Sequence, residues 1–221
     1  MKQKISLAIF LIIFALISQM PGSAVSVQKA YSSNERLMSL RQMSLGKRYA
    51  NEWVNGIFRD NILLALAYTN DKVSNPRNVD WDSVRDPFTF DITLNPGEVF
   101  AFHDDVLPEY RGKVVKTTGA HFNYSDGFKS DGYLYGDGVC HLASLINWAA
   151  KEAGLKVDSR VNHNFANIPE VPKVYGTSIV TTGQPSYNAE MQNLYVENNF
   201  DKPVRIVFNY DKDILTVSVY K

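Results

Sequence analysis

The stretch Gly136-Asp137-Gly138-Val139-Cys140-His141 leads from a glycine-rich turn into an apolar stripe, and together they decide the fold. Residues spaced i, i+3, i+4, i+7 and i+11 form one face of a helix. Here they are Leu142, Leu145, Ile146, Ala149 and Ala153. Gly154 is the residue type expected just beyond a helix end. The sequence therefore predicts a helix over residues 140–153, with one face in the core and the cysteine in its first turn.

Cys140 is the single cysteine among the 221 residues, so an internal disulfide is excluded. At about 100° per residue, Cys140 lies almost opposite the apolar stripe, beside Ser144 and Asn147. Unpaired N–H groups and the dipole at a helix start favour an anion, and therefore the nucleophilic thiolate. This position indicates a reactive thiol. The alternative is a small buried hydrophobic side chain.

The glycine-rich turn before Cys140 is typical of main chain that approaches a ligand closely and offers N–H groups to an oxyanion. We expect substrate contacts from this turn, from the residue after the cysteine, and from two side chains of the preceding glycine-rich stretch. The candidate substrate-binding residues are Gly136, Asp137, Gly138, Val139, His141, His121 and Tyr135.

His163 is the predicted general base for Cys140. Residues 155–165 alternate in the manner of a strand, with His163 on the apolar face. The preceding helix is about 20 Å long, and an antiparallel strand covers that distance in roughly six or seven residues. A strand returning from Gly154 therefore brings His163 level with Cys140. The alternative is a core histidine that is satisfied by a hydrogen bond.

A third, orienting group would complete a catalytic site, and spacing alone leaves four asparagines open. They are Asn162, Asn164, Asn193 and Asn198. We take Asn198 as the candidate catalytic residue beside Cys140 and His163. A metal site built from Cys140, His163 and His121 lacks a close ligand pair of familiar spacing. We therefore predict no metal and no cofactor.

Two helices are predicted before residue 88. Leu37, Leu40 and Met43 weakly indicate a short one. A stronger helix over residues 49–68 is indicated by a stripe near helical spacing, formed by Trp53, Ile57, Phe58, Leu64 and Ala65. Residues 69–86 are rich in Asn, Asp, Ser and Pro, which is typical of a surface connection.

From Phe88 the pattern becomes that of strands. Alternation predicts strands at residues 88–93 and 98–102, and a C-terminal β-meander at residues 193–197, 204–210 and 214–220. The predicted fold class is α+β, with N-terminal helices, a cysteine-bearing helix packed on a mainly antiparallel sheet, and the C-terminal β-meander.

The first 24 residues have the layout of a secretory signal. A basic start, Met1-Lys2-Gln3-Lys4, precedes an apolar run and the small residues Pro21-Gly22-Ser23-Ala24. The run is short for a membrane span. We expect a signal peptide or N-terminal anchor at 1–24, a lead-in with a short helix at 25–48, and a single domain at 49–221. The predicted location is the cell envelope, periplasmic or extracellular.

The charge balance argues against a nucleic-acid partner. Lys and Arg together number 23, as do Asp and Glu, so the formal net charge is zero. The basic residues are scattered among acids and form no local run. Membrane contact is expected only through the N-terminal segment. The sequence leaves the oligomeric state open.

Five segments, in the same order along the chain, resemble VanW-like proteins. Residues 95–102 are similar to their Pro-Gly-Glu-x-Phe-Ser-Phe segment, and residues 136–141 to their Gly-Gly-Gly-Val-Cys-Gln signature. Residues 161–164 resemble their Arg-His-x-His-Ser region at its second histidine. Residues 194–199 resemble their closing strand and Asn-Asn turn, and residues 59–62 their Arg-x-x-Asn-Ile helix. The resemblance implies a bacterial envelope protein of the glycopeptide-resistance type, with the domain at 49–221 VanW-like.

The chain departs from the family pattern at several positions. Asp137 stands where the family has glycine, and His141 where it has glutamine. Residues 174–179 lack the aspartate of the family's Gly-Arg-Asp-Ala-Thr-Val stretch, and residues 73–87 look like an insertion. Any contribution of that glutamine or aspartate to chemistry is therefore altered or lost here.

We interpret the chain as an exported cell-envelope protein whose partner is the cell wall. The leading hypothesis is a cysteine-dependent hydrolase or acyl transferase acting on peptidoglycan peptide amides, as an amidase, peptidase or transpeptidase-like enzyme. A shorter similarity to the core of transglutaminase-like and papain-like proteins agrees with thiol chemistry on an amide. The alternative is a non-catalytic cell-wall binding or accessory domain, in which exposed Tyr124, Tyr133 and Tyr135 contact glycan or peptide.

Overall fold

The computed structural model of the protein describes residues 35–74, 76–133, 135–181 and 187–221, without the side chain of Tyr187. The compact unit to which they belong is Asn34–Lys221. The signal peptide or anchor predicted at 1–24, and the first part of the lead-in, lie outside the described residues. Within those residues, no helix is long and apolar enough to cross a membrane.

The described residues form four α-helices and two four-stranded sheets, which confirms the predicted α+β class. The helices are α1 (Glu52–Thr69), α2 (Trp81–Arg85), α3 (Val139–Glu152) and α4 (Tyr187–Met191). The strands are β1 (Leu37–Ser44), β2 (Phe88–Leu94), β3 (Val99–Ala101), β4 (Val114–Lys116), β5 (Lys156–Asp158), β6 (Tyr195–Glu197), β7 (Val204–Asp211) and β8 (Ile214–Tyr220).

The first sheet has the strand order β1-β8-β7-β2 and is antiparallel throughout. Lys212 and Asp213 join β7 to β8, with φ angles of 49° and 61°. Two left-handed residues are what a two-residue hairpin loop requires, because their twist matches that of the strands. The strands predicted from alternation at β2, β7 and β8 are confirmed.

The second sheet has the order β4-β3-β6-β5, in which β3 is parallel to β4 and antiparallel to β6. Strand β6 therefore belongs to a different sheet from β7 and β8. The three C-terminal strands are divided between the two sheets, and residues 198–203 carry the chain from one sheet to the other.

Residues 37–44 form strand β1, so the short helix predicted there is wrong. This strand pairs with β8 along its length and buries Met43. A spacing of three residues suits a helix locally, but a short isolated helix is marginal in water. The edge of β8 offers a ladder of inter-strand hydrogen bonds instead.

Helix α3 carries Cys140, and its predicted apolar stripe is confirmed. All five stripe residues are at most 3% exposed, and the helix packs against α1, β1, β5 and β8. The helix ends in a Schellman motif at Gly154, whose φ is 82°. There the N–H of Gly154 donates to Lys151 O, and the N–H of Leu155 donates to Ala150 O.

The strand after α3 is much shorter than predicted. Strand β5 ends at Asp158, and residues 159–165 form no strand. The prediction of a strand through His163 is therefore wrong. The pairing partner β6 is itself only three residues long, so no neighbouring strand is available to continue the ladder beyond Asp158.

Helix α1 begins at Glu52 because the side chain of Asn51 caps it, accepting from the N–H groups of Trp53 and Val54. The predicted stripe is only partly buried. Ile57, Leu64 and Ala65 lie in the core, but Trp53 is 60% exposed. Trp53 therefore belongs to the helical stripe but not to the core.

Asn61 of α1 binds the loop before Cys140 at two points, Lys129 and Asp137. Its side chain is fully buried. The amide Nδ2 donates to Lys129 O and to Asp137 O, both at 3.0 Å, and Oδ1 accepts from Lys129 N at 2.8 Å. This single side chain therefore fixes the main chain at Lys129 and at Asp137, ahead of Cys140.

We expect Asn61→Ala to lower the free energy of unfolding by about 2–4 kcal/mol, since it removes three hydrogen bonds and leaves buried main-chain groups unpaired. Asn162→Ala is the matched control, because exposed Asn162 makes one hydrogen bond, to Lys173 O. Asn162→Ala should change the free energy of unfolding by no more than about 0.5 kcal/mol. Urea unfolding measures both variants, and equal effects would contradict the clamping role.

Candidate functional site

The turn before Cys140 packs closely against neighbouring main chain of the same protein. Gly136 and Gly138 have φ angles of 81° and 98° and, with Val139, are buried. A Cβ at Gly136 would lie 2.8 Å from Phe122 O, and one at Gly138 would lie 2.8 Å from Phe58 O. The glycines thus allow close approach to neighbouring main chain, and their predicted role in substrate binding stays a prediction.

Asp137, between these glycines, also engages the loop. Its carboxylate accepts from the N–H of Asp131 at 3.0 Å. Partial burial raises the pKa of Asp137 to about 6; the N–H of Asp131 opposes this rise, and the carboxylate of Asp131 adds to it. Asp137 is therefore a carboxyl group that titrates near neutral pH.

The thiol of Cys140 is held by the main chain of one residue, Ile179. Its Sγ accepts from Ile179 N at 3.4 Å and donates to Ile179 O at 3.7 Å, and the residue is partly buried. Burial raises the pKa of Cys140 to about 11, although the N–H groups of Ile179 and Cys140 lower it. The helix start was expected to lower this pKa. That expectation is wrong, because desolvation of the thiolate outweighs the N–H groups.

Residues 175–179, which begin at the end of a short 3-10 helix (Lys173–Tyr175), cover the polar side of α3, and we call them the strap. Ser144 Oγ accepts from Thr177 N at 2.9 Å. Asn147 Nδ2 donates to Tyr175 O at 2.9 Å and to Thr177 Oγ1 at 3.0 Å. The predicted polar stripe of α3 is confirmed, but the strap occupies it.

The strap and the residue after it also donate hydrogen bonds to segments other than α3. Ser178 N donates to Val161 O at 2.9 Å, and Val180 N, just beyond the strap, donates to Gln192 O at 3.2 Å. Hydrogen bonds on both sides therefore keep the strap over Cys140.

His163 does not contact Cys140 through any hydrogen bond among the described residues. Its ring is 6% exposed and packs 6.1 Å from the ring of His141 and 4.0 Å from that of Phe165. Its Nδ1 is buried without a hydrogen-bond partner in the described part of the chain. Burial lowers the pKa of His163. The role of general base stays a prediction that this geometry does not favour.

His141 accepts a hydrogen bond from a buried arginine. Arg48, whose side chain is completely buried, donates to His141 Nδ1 from Nη2 at 3.0 Å and from Nε at 3.3 Å. Burial and the charge of Arg48 hold the pKa of His141 well below its ordinary value. Since arginine only donates, His141 is neutral with its proton on Nε2. Sequence reasoning missed Arg48, because its neighbours Lys47 and Tyr49 give no local signal of burial.

The remaining candidate residues, Asn198 and His121, contact other parts of the protein. Asn198 is fully buried, donates to Leu94 O and Lys202 O, and accepts from Phe200 N. It therefore supports the crossing between the sheets, and its predicted catalytic role remains untested. The ring of His121 packs 5.6 Å from that of His103. In the described chain, no group of three or more His, Cys, Asp or Glu side chains is arranged to hold a metal ion.

An open groove lies on the outer side of α1 and has a volume of about 580 Å³. We call it the aromatic groove. Its walls come from α1, α2 and residues 124–130 and 135, and they include Trp53, Gly56, Asp60, Trp81, Tyr124 and Tyr135. The predicted binding residue Tyr135 belongs to this groove, whereas Tyr133 is 93% exposed outside its lining.

The floor of the aromatic groove is an ion network. Arg85 donates to both oxygens of Asp60, at 3.0 and 2.8 Å, and Lys129 Nζ lies 2.5 Å from Asp60 Oδ2. Burial raises the pKa of Asp60, but these hydrogen bonds outweigh it and lower that pKa overall. Lys129 Nζ also lies 3.9 Å from the ring centroid of Trp81. The floor therefore holds two cations and one carboxylate, and Glu52, which also lines the groove, adds a second carboxylate.

Sequence reasoning missed the groove because its parts are distant in the chain. Trp53, Gly56 and Asp60 follow i, i+3 and i+7 spacing on one helical face, which is a usable local signal. Trp81 lies within the polar stretch at residues 69–86, which gives no such signal.

The fold and the site define an α+β domain built around a cysteine-bearing helix. Residues 90–220 match the family model described as VanW like protein. The match covers more than half of the 221 residues, so the chain belongs to the VanW-like protein family, as the sequence resemblance predicts. Helices α1 and α2 lie outside the matched residues. Comparison with curated proteins and with solved structures gives no significant match.

We expect Gly136→Ala to destabilise the protein more than Gly97→Ala. Both glycines have a φ of 81°, but a Cβ at Gly97 meets nothing within 4 Å. The control should therefore show only the left-handed strain, about 1 kcal/mol, and Gly136→Ala should lose about 1–3 kcal/mol more through overpacking. Equal losses in urea unfolding would contradict the close packing of the turn.

The alkylation rate of Cys140 should rise steadily between about pH 7 and about pH 10 without a plateau, because the thiolate remains a minor species. The same titration in denaturant should level off near the ordinary thiol pKa of about 8.5. Reaction with iodoacetamide, followed by mass spectrometry, measures both. A plateau below about pH 8 in the folded protein would instead indicate an activated nucleophile.

Proposed function

We propose that this chain is an exported accessory domain that binds the bacterial cell wall without cysteine-dependent catalysis. The observation that carries the proposal is the strap, which takes up both hydrogen-bonding capacities of the Cys140 thiol. A nucleophile needs an accessible thiolate and a base within hydrogen-bond reach. Here the pKa of Cys140 is raised to about 11, and no described hydrogen bond joins it to His163.

Family membership and the sequence of residues 1–24 support the envelope setting of the proposal. Membership in the VanW-like family agrees with a role at the cell wall. The basic start, apolar run and small residues of the first 24 positions agree with export. The zero formal net charge agrees with a partner other than nucleic acid.

A cysteine-dependent hydrolase or acyl transferase is the second candidate. The observation in its favour is the position of Cys140 in the first turn of α3, where helix N–H groups favour a thiolate. This function requires the strap to leave the polar side of α3, so that the thiol reaches substrate and a base.

The two candidates make different predictions for Cys140→Ala. For the accessory domain, we expect wild type and variant to co-sediment equally with purified peptidoglycan, since the thiol makes no ligand contact. Neither should release amino groups or soluble fragments from the wall. Thermal unfolding checks that the variant is folded.

Release of amino groups by the wild type, lost in Cys140→Ala, would contradict the accessory role and support the enzyme. Absence of co-sedimentation by the folded wild type would overturn cell-wall binding itself.

A further inference from the structure

We infer that the aromatic groove is a binding site for an uncharged saccharide. This inference rests on the proposed function and assigns the cell-wall contact to particular residues and to the glycan part of the wall. The groove volume, about 580 Å³, lies within the range of ligand pockets.

The first argument is the clustering of exposed aromatic rings. Trp53, Tyr124 and Tyr135 are 60%, 74% and 43% exposed, and all three line the groove. The rings of Tyr124 and Tyr135 lie 5.7 Å apart at 59°, so they present differently oriented faces. Exposed apolar surface concentrated at one place marks a binding site. Such rings combine a flat apolar face with a polar tip, which suits the C–H faces and hydroxyl rim of a sugar.

The second argument is charge. Asp60 is paired with Arg85 and Lys129, and both cations lie over the Trp81 ring, at 5.4 and 3.9 Å from its centroid. A cationic ligand would meet these two like charges. An anionic ligand would have to compete with Asp60 for them. Glu52 also lines the groove, so two carboxylates balance these two cations, and this balance favours a neutral ligand.

The third argument is Gly56, which lies inside α1 and lines the groove. Glycine inside a helix lowers stability relative to alanine. A Cβ at Gly56 would meet nothing within 4 Å, so packing does not require this glycine. The space left by the missing side chain is part of the groove. A ligand lying against the helix accounts for glycine at this position.

Part of the aromatic groove lies outside the residues that match the family model. Helices α1 and α2, which supply Trp53, Gly56 and Trp81, precede the match at residues 90–220. Trp81 lies in the segment at 73–87 that looks like an insertion.

The test measures binding of the full chain to neutral N-acetylglucosamine oligomers by calorimetry. We expect Trp53→Ala to weaken binding roughly 10-fold, as loss of an aromatic anchor does. Gly56→Leu, which fills the groove, should weaken it at least as much. Phe165→Ala is the matched control, because Phe165 is 77% exposed and lies outside the groove lining, and the affinity of this variant should be unchanged.

A stability control separates the groove from the fold. Gly56→Ala should raise the melting temperature by about 1–4 °C and change the affinity less than Gly56→Leu does. Circular dichroism checks that Trp53→Ala and Gly56→Leu remain folded.

Unchanged affinity in folded Trp53→Ala and Gly56→Leu would overturn the site. Preference for the cationic glucosamine oligomers, or for a peptidoglycan stem peptide, would overturn the ligand class. If the wild type binds peptidoglycan but not the neutral oligomers, this inference fails and the proposed function stands. If oligomers bind in the groove but whole peptidoglycan does not, the proposed function fails and the saccharide site stands.

Discussion

The burial of α3 on two sides is the constraint on which the site depends. Its apolar stripe packs into the core, while its polar side carries Cys140, Ser144 and Asn147. Buried polar groups are costly unless they are hydrogen-bonded. The strap meets this requirement with main-chain and side-chain partners. The same contacts remove the thiol from water, and this is why its pKa rises.

A buried charge links this helix to the N-terminal part of the domain. The guanidinium of Arg48 is completely buried and is bound by Ser44 O, Glu170 and His141. An uncompensated charge there would be strongly destabilising. His141, at the family's glutamine position, therefore serves as an acceptor for Arg48. The histidine next to the cysteine is explained by support of the fold, and it needs no role in proton transfer.

Asn61 links the aromatic groove to the turn before Cys140. Through one side chain it holds Lys129, which contributes to the floor of the aromatic groove, and Asp137, in the turn before Cys140. Asn61 therefore fixes the loop that leads into the turn before Cys140. This clamp belongs to the core of the fold, whereas Trp53 and Gly56 on the same helix face the groove.

Local periodicity and short motifs were enough to predict the apolar stripe of α3, its end at Gly154, the long helix α1, the strands β2, β7 and β8, and the family. Each of these features is specified by residues that are neighbours in the chain. The strand at residues 37–44 depends on the complete fold, because β8 supplies its hydrogen bonds. The tertiary structure also decided that β5 stops at Asp158, that the strap covers Cys140, and that Trp53 and Trp81 share one groove. Hydrophobic periodicity shows which side of a helix or strand is polar. It does not show which segment covers that side, because that segment comes from elsewhere in the chain.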